Sequence, residues 1–156
     1  KLMKEKVILN ELIQEIAQHT MFRIQNEGGS IQLHLPSEQI QVISDRMHLN
    51  NIISNLVDNA IKYSKNLPLI EISLSRENKR ILLSVKDNGV GMKKEHLNKI
   101  FDKLYRIPTG NVHNVKGFGL GLSYVKTIAE LHGWDVNVKS QFGEGSEFTI
   151  VMKETP

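Results

Sequence analysis

The stretch 45–63, DRMHLNNIISNLVDNAIKY, decides the fold. Leu49, Ile53, Leu56, Val57, Ala60 and Ile61 recur at helical spacing, and Asp45 stands where an N-cap carboxylate belongs. The spacing predicts a long helix with one apolar stripe. Beside it runs a polar stripe: His48, Asn51, Asn55, Asn59 and Lys62, spaced by three, four, four and three residues. At roughly 100° per residue these five fall in a band roughly 80° wide. Asparagine is a poor helix former, yet Asn50, Asn51, Asn55 and Asn59 all lie here. A merely solvated face would favour Glu, Lys, Gln or Ala. Amide oxygens suit a hard cation, and Mg²⁺ is one that keeps phosphates and waters among its ligands; Lys62 can neutralise phosphate.

Working outward, Asn10 can cap a helix through about residue 25, with Leu12, Ile13, Ile16, Ala17 and Met21 on its apolar face and Gly28-Gly29 ending it. Residues 1–9, KLMKEKVIL, read as the end of a longer helix or a linker, which leaves 10–156 as the domain. IQLHL (31–35) and IQVIS (40–44) read as strands. Downstream, strands are expected at 69–75 and 81–87 around the turn RENKR, and a short helix at 93–100. Residues 101–116 carry Pro108 and Gly110 with little periodicity and read as a long loop. A helix from Gly119 or Leu120 to about His132 follows, then strands at 134–140 and 146–152 around QFGEG. The order predicts an α/β (α+β) two-layer sandwich. Its mixed, mostly antiparallel sheet would have about five strands, with three main helices on one face.

Composition narrows the function classes. The chain has 156 residues, enough for one domain, with 40% apolar and 24% charged residues. It has no cysteine, so disulfides and thiolate metal sites are excluded, and its six histidines show no HExxH spacing. No apolar run approaches the roughly 20 residues of a membrane helix. The net charge is +3, but lysines and arginines are scattered and do not form a basic stripe with interleaved aromatics. That pattern speaks against nucleic acid.

Two glycine loops complete the polar signals. VKDNGVGM (85–92) ends a strand whose inward residues are Ile81, Leu83 and Val85, and period-two parity puts Asp87 on that same face. A carboxylate there needs a donor, which the exocyclic amine of adenine would supply. Alone, DNG would be only a turn. The second loop, KGFGLGL (116–122), leads into a helix, where glycines admit close backbone approach and the helix N-terminus attracts anions. Neither GxxxxGK[ST] nor strand-GxGxxG-helix occurs. GEGSEF (143–148) closes the set, with Ser146 sharing the parity of Phe148 and Ile150, so that its hydroxyl should face the interior near Asp87.

In this order the pieces resemble the catalytic and ATP-binding domain of bacterial sensor histidine kinases, within the wider gyrase, chaperone, kinase and mismatch-repair ATPase superfamily. NLVDNAIKYS matches its N box, DNGVGM the G1 box, IFDKLYR the F box, GFGLGL the G2 box and GEGSEF the closing glycine box. The resemblance spans about 45–152 and implies the Bergerat-type ATP-binding fold with ATP and Mg²⁺ as cofactors. It implies that Asn55 ligates Mg²⁺, that Asn59 stands beside metal and phosphates, that Lys62 reaches the phosphates and that Tyr63 packs near the base. Asp87 would bond the adenine amine, with Gly89 and Gly91 giving the base access and Ser146 nearby. Lys116, Gly117, Phe118, Gly119, Leu120, Gly121 and Leu122 would cradle the phosphates. Phe101 would anchor a lid, and Arg106 would approach the γ-phosphate. Where hydrolytic relatives place a glutamate, this chain has Asn51, which cannot act as a base near neutral pH. Phosphotransfer is therefore expected, to a histidine on a separate dimerisation domain, with a response regulator downstream. None of the six histidines carries the family's acceptor motif. By the same resemblance the fragment would be a cytoplasmic, monomeric piece of a dimeric inner-membrane sensor, unable to phosphorylate itself. The competing readings are a nucleotide-occupancy regulatory module and the serine-kinase branch of the superfamily. The N-terminal helical remnant argues against the second.

Overall fold

The computed structural model describes residues 1–103, 105 and 121–154. Its centre is helix α2, Arg46–Lys62, preceded by strands β1 (Lys4–Ile8), β2 (Ser30–His34) and β3 (Gln41–Asp45) and by helix α1 (Leu9–Ile24). After it come the hairpin β4 (Leu69–Glu77) and β5 (Arg80–Asp87), the single turn α3 (Lys94–Leu97), helix α4 (Gly121–Leu131), and the hairpin β6 (Asp135–Gln141) and β7 (Gly145–Lys153). Five strands form one sheet in the order β2-β4-β5-β7-β6. β2 runs parallel to β4 and every other pairing in that sheet is antiparallel.

Alternation along the strands shows which face is covered. Ile70, Ile72 and Leu74 on β4, Ile81, Leu83 and Val85 on β5, and Phe148, Ile150 and Met152 on β7 are all buried. Their registers align them in rows, with Leu83 opposite Ile150 and Val85 opposite Phe148. Against these rows α2 lays Leu49, Ile52, Ile53, Leu56, Val57 and Ala60, all nearly inaccessible. Burial of each such side chain contributes on the order of 1.5–3 kcal/mol. The tight β4–β5 connection places Asn78 and Lys79 at φ of 49° and 65°, the left-handed pair a two-residue hairpin needs. The two-layer sandwich with α1, α2 and α4 on one face is the architecture expected.

Three local expectations are corrected. Residues 4–8 are neither helix nor linker: they form β1, paired antiparallel with β3 in a separate two-stranded sheet, and Val7 and Leu9 are wholly buried in the core. Asn10 does not cap α1, whose cap position is Ile8. It is buried inside the first turn, where its amide donates to the carbonyls of Pro36 and Glu38 at 3.2 and 3.0 Å and its oxygen accepts the Ile40 N–H at 2.8 Å. Met21 lies at the rim of the α1 apolar face, 36% exposed. The α2 cap is as the sequence predicts. Asp45 Oδ1 accepts the His48 N–H at 3.2 Å, while Oδ2 accepts the Met3 N–H at 2.8 Å. Those amides, Met3 first, hold its carboxyl below the usual range. The predicted loop over 101–116 and the start of the following helix at 119–120 fall largely outside the described residues.

Candidate nucleotide site

Asp87 ends β5 on the covered face, continuing the parity of Ile81, Leu83 and Val85. Its Oδ1 accepts two backbone amides, from Gly89 at 2.8 Å and Ser146 at 3.2 Å. Among the described residues Oδ2 has no partner. Partial burial raises the Asp87 pKa above the ordinary carboxylate value, and the two amides only partly offset that. The result is a fixed carboxylate with one oxygen tied to the scaffold and one able to accept from a ligand. An exocyclic amine beside a ring nitrogen fits such an acceptor.

The loop after Asp87 is held by three hydrogen bonds, two from backbone to backbone and one to a side-chain hydroxyl. Val90 N–H donates to the Tyr63 carbonyl at 2.9 Å, which joins the loop to the end of α2. Gly143 N–H donates to Val90 O at 2.6 Å, and Met92 N–H to Ser140 Oγ at 2.7 Å, which join it to the β6–β7 hairpin. A Cβ at Gly89 would strike the Tyr63 carbonyl, and one at Gly91 would strike the Gln141 carbonyl. Gly91 also sits at φ +69°. Only glycine satisfies both demands there.

Ser146 lies beside Asp87, and the contact is made by its main chain. Its backbone N–H, not its hydroxyl, reaches Asp87, and its Oγ lies 2.8 Å from Ser140 Oγ. Sequence reasoning misses Ser140, yet its hydroxyl also donates to Gly145 O at 3.0 Å and so knits the corner together. The one signal that could have found it is its parity with Val136 and Val138 on β6.

On α2 the polar stripe divides. His48 Nδ1 lies 2.6 Å from the Tyr124 hydroxyl, and Asn51 Nδ2 reaches the same oxygen at 3.5 Å. These two are engaged by α4. Asn55 donates its amide to Asn51 O at 2.8 Å, and its Oδ1 faces Gly121, where a Cβ would stand 3.1 Å away. Asn59 is half-buried and Lys62 exposed, and neither side chain bonds a described residue. No cluster of three or more His, Cys, Asp or Glu occurs among the described residues. A metal held here would rest on a neutral amide oxygen with phosphates and water completing its shell, a donor set that suits Mg²⁺.

Phe101 packs edge-on to Phe148 with ring centroids 6.2 Å apart, under the Lys126 ammonium at 5.4 Å. Leu122 packs against the core beside the first turn of α4. Arg106, Lys116, Gly117, Phe118, Gly119 and Leu120 lie outside the described residues. Tyr63 meets the site through its carbonyl at the end of α2.

A two-layer α/β domain with a carboxylate tied through one oxygen, glycine-enforced backbone contacts and an amide oxygen facing a helix start has the parts that a nucleotide-binding domain needs. Residues 44–156 match the family described as histidine kinase-, DNA gyrase B-, and HSP90-like ATPase, and the chain belongs to that family. It is 39% identical to sensor protein RprX of Bacteroides fragilis over 145 residues, 92% of this chain and 28% of that protein. It is 38% identical to sensor histidine kinase YkoH of Bacillus subtilis over 124 residues, 80% of this chain and 27% of that protein. The chain thus spans little more than a quarter of these relatives. Among solved structures, the catalytic domain of histidine kinase ThkA superposes with a TM-score of 0.86 at 26% identity, covering 99% of this chain and 100% of that one. Full-length ShkA in complex with AMPPNP gives the same TM-score at 24% identity over 100% of this chain and 32% of that one, a likeness of fold alone. No helix among the described residues is long and apolar enough to cross a membrane.

Proposed function

We propose that this domain binds Mg-ATP and donates the γ-phosphate to a histidine on a dimerisation domain of the full-length protein, as the catalytic part of a sensor histidine kinase signalling to a response regulator. The observation that carries the reading is the carboxylate of Asp87, which is fixed by the Gly89 and Ser146 amides and keeps Oδ2 for an amine. Asp87 would select adenine. Asn55 would hold Mg²⁺ through Oδ1, with Asn59 and Lys62 beside it and Arg106 and the glycine loop at 116–122 toward the phosphates. The bound metal would supply charge neutralisation on the phosphate oxygens.

The side chain at the place of a hydrolytic glutamate supports transfer over hydrolysis. Asn51 is no base, and its amide is engaged with Tyr124. With β1 in place of a helical remnant, the N-terminus no longer speaks against the serine-kinase branch. The sensor-kinase relatives now carry that distinction. The test is radiolabelled ATP and Mg²⁺ with the separately expressed dimerisation domain of the full-length protein. Acid-labile, base-stable phosphohistidine that disappears with Asn59→Asp is expected. Nucleotide binding without transfer at high concentrations of both pieces would leave a regulatory module instead.

A further inference from the structure

The seam between α2 and α4 is pinned at three levels. Gly121 faces Asn55, Tyr124 meets His48 and Asn51, and His132 Nε2 accepts the Asp45 N–H at 3.2 Å. Rising numbers on α4 meet falling numbers on α2, so the helices run antiparallel. The far end is held tightly. His132 Nδ1 lies 2.9 Å from Ile128 O, its Nε2 is also 3.2 Å from Ser44 Oγ, and its ring stacks on Trp134 at 4.2 Å. Nearer the proposed nucleotide site the Tyr124 hydroxyl ties the two helices together, one helical turn from Asn55.

We propose that Tyr124 is a positioning residue for the metal and phosphate half of the site, setting the separation between Asn55 Oδ1 and the first turn of α4. Tyr124 Oη meets His48 Nδ1 and Asn51 Nδ2, and the Asn51 carbonyl accepts the Asn55 amide, which turns Asn55 Oδ1 toward Gly121. One hydroxyl therefore fixes both the spacing of the two helices and the helical turn against which the proposed metal ligand is oriented. A phenylalanine would fill the same space without either tie. The adenine corner, built from β5, β7 and the end of α2, does not involve this oxygen.

This inference rests on the reading of Asn55 as the Mg²⁺ ligand, and the experiment separates the two. Calorimetry would measure the affinity of this chain for ADP in EDTA, for AMPPNP in EDTA, and for AMPPNP with Mg²⁺. For Tyr124→Phe the expected result is an unchanged ADP affinity and an unchanged melting temperature to within a few degrees. The gain in AMPPNP affinity on adding Mg²⁺ should shrink about three- to tenfold, the worth of one net hydrogen bond. His48→Gln, which alters the other partner, should shrink the same gain and serves if the first variant folds poorly. A full Mg²⁺ gain in both folded variants would overturn the positioning role. A wild-type chain that binds AMPPNP equally with and without Mg²⁺ would overturn the metal reading and this inference with it. A wild-type chain that binds no nucleotide would overturn the proposed function itself.

Discussion

At the proposed adenine corner the contacts are made by backbone: the amides of Gly89 and Ser146 converge on the Asp87 carboxylate, Val90 bonds Tyr63 and Gly143, and any Cβ at Gly89 or Gly91 would strike a carbonyl. Along the phosphate flank the working groups are side chains on one face of α2, half-buried or exposed, and two of them bond no described residue. The glycines of the first region cannot take a side chain without straining the fold. Asn59 and Lys62 of the second can change at little cost to the described fold, and the proposed chemistry is what would suffer. In the proposed function, rigidity at one end would give a base its fixed acceptor, while groups at the other end would remain available to a metal and to phosphates.

The largest effect should come from breaking the rigid corner. Gly91→Ala places a side chain at φ +69° and against the Gln141 carbonyl, neither of which can shift without moving the β6–β7 turn. Left-handed backbone strain and overpacking each cost about 1–3 kcal/mol, so a loss of about 3 kcal/mol or more in unfolding free energy is expected by urea titration. A loss below about 1 kcal/mol would show that the corner can relax and that the contrast between the two regions is overstated.

Asp87 sits where the two terms meet, since its substitution should separate recognition from stability. Asp87→Ala should weaken nucleotide binding by about 1–3 kcal/mol, the usual loss for a buried polar partner. Asp87→Asn can keep Oδ1 on the Gly89 and Ser146 amides but turns an N–H₂ toward the ligand's amine, so binding should fall while the fold holds. The pH dependence has a definite sign. The Asp87 pKa is raised by burial, so its ionised form is disfavoured in the folded chain. Its contribution to stability is therefore greatest below the ordinary carboxylate value and is lost as pH rises through the folded one. At neutral pH the apo Asp87→Asn chain should melt no lower than wild type. Nucleotide affinity should move the other way, falling as acidification protonates Asp87. That slope should vanish in the Asn variant, and its survival would remove Asp87 from the adenine site.

The rigid corner is partly legible in the sequence, because strand parity alone puts Asp87 with Ile81, Leu83 and Val85, and the α2 stripe names its own core. What escapes depends on partners distant in sequence. KEKVI carries too short a pattern to declare a strand, and its partner β3 begins more than thirty residues later. Asn10 has the chemistry of a cap, and sequence cannot distinguish a cap from an amide that satisfies the backbone of residues 36–40. Tyr124 reads as one more apolar residue of α4, since nothing local reveals that His48 and Asn51 will face its hydroxyl. The polar stripe is visible as a unit, but its division into residues held by α4 and residues left for a ligand is a tertiary fact.

The smallest effect on the fold, and the sharpest test of the comparison, is Asn59→Ala. Asn59 is half-buried in the last turns of α2, and its side chain bonds no other described residue, so removing it deletes no hydrogen bond or ion pair among the described residues. Alanine is the better helix former by at most about 0.7 kcal/mol, so the variant should unfold at the same or a slightly higher denaturant concentration. Adenine recognition should also survive, because Asp87 and its loop are untouched. Only the metal and phosphate contribution should go: AMPPNP affinity with Mg²⁺ should drop toward its value in EDTA. If Asn59→Ala instead destabilises the chain by more than about 1 kcal/mol, the residue is part of the scaffold. The phosphate flank would then be bound into the fold no less firmly than the adenine corner.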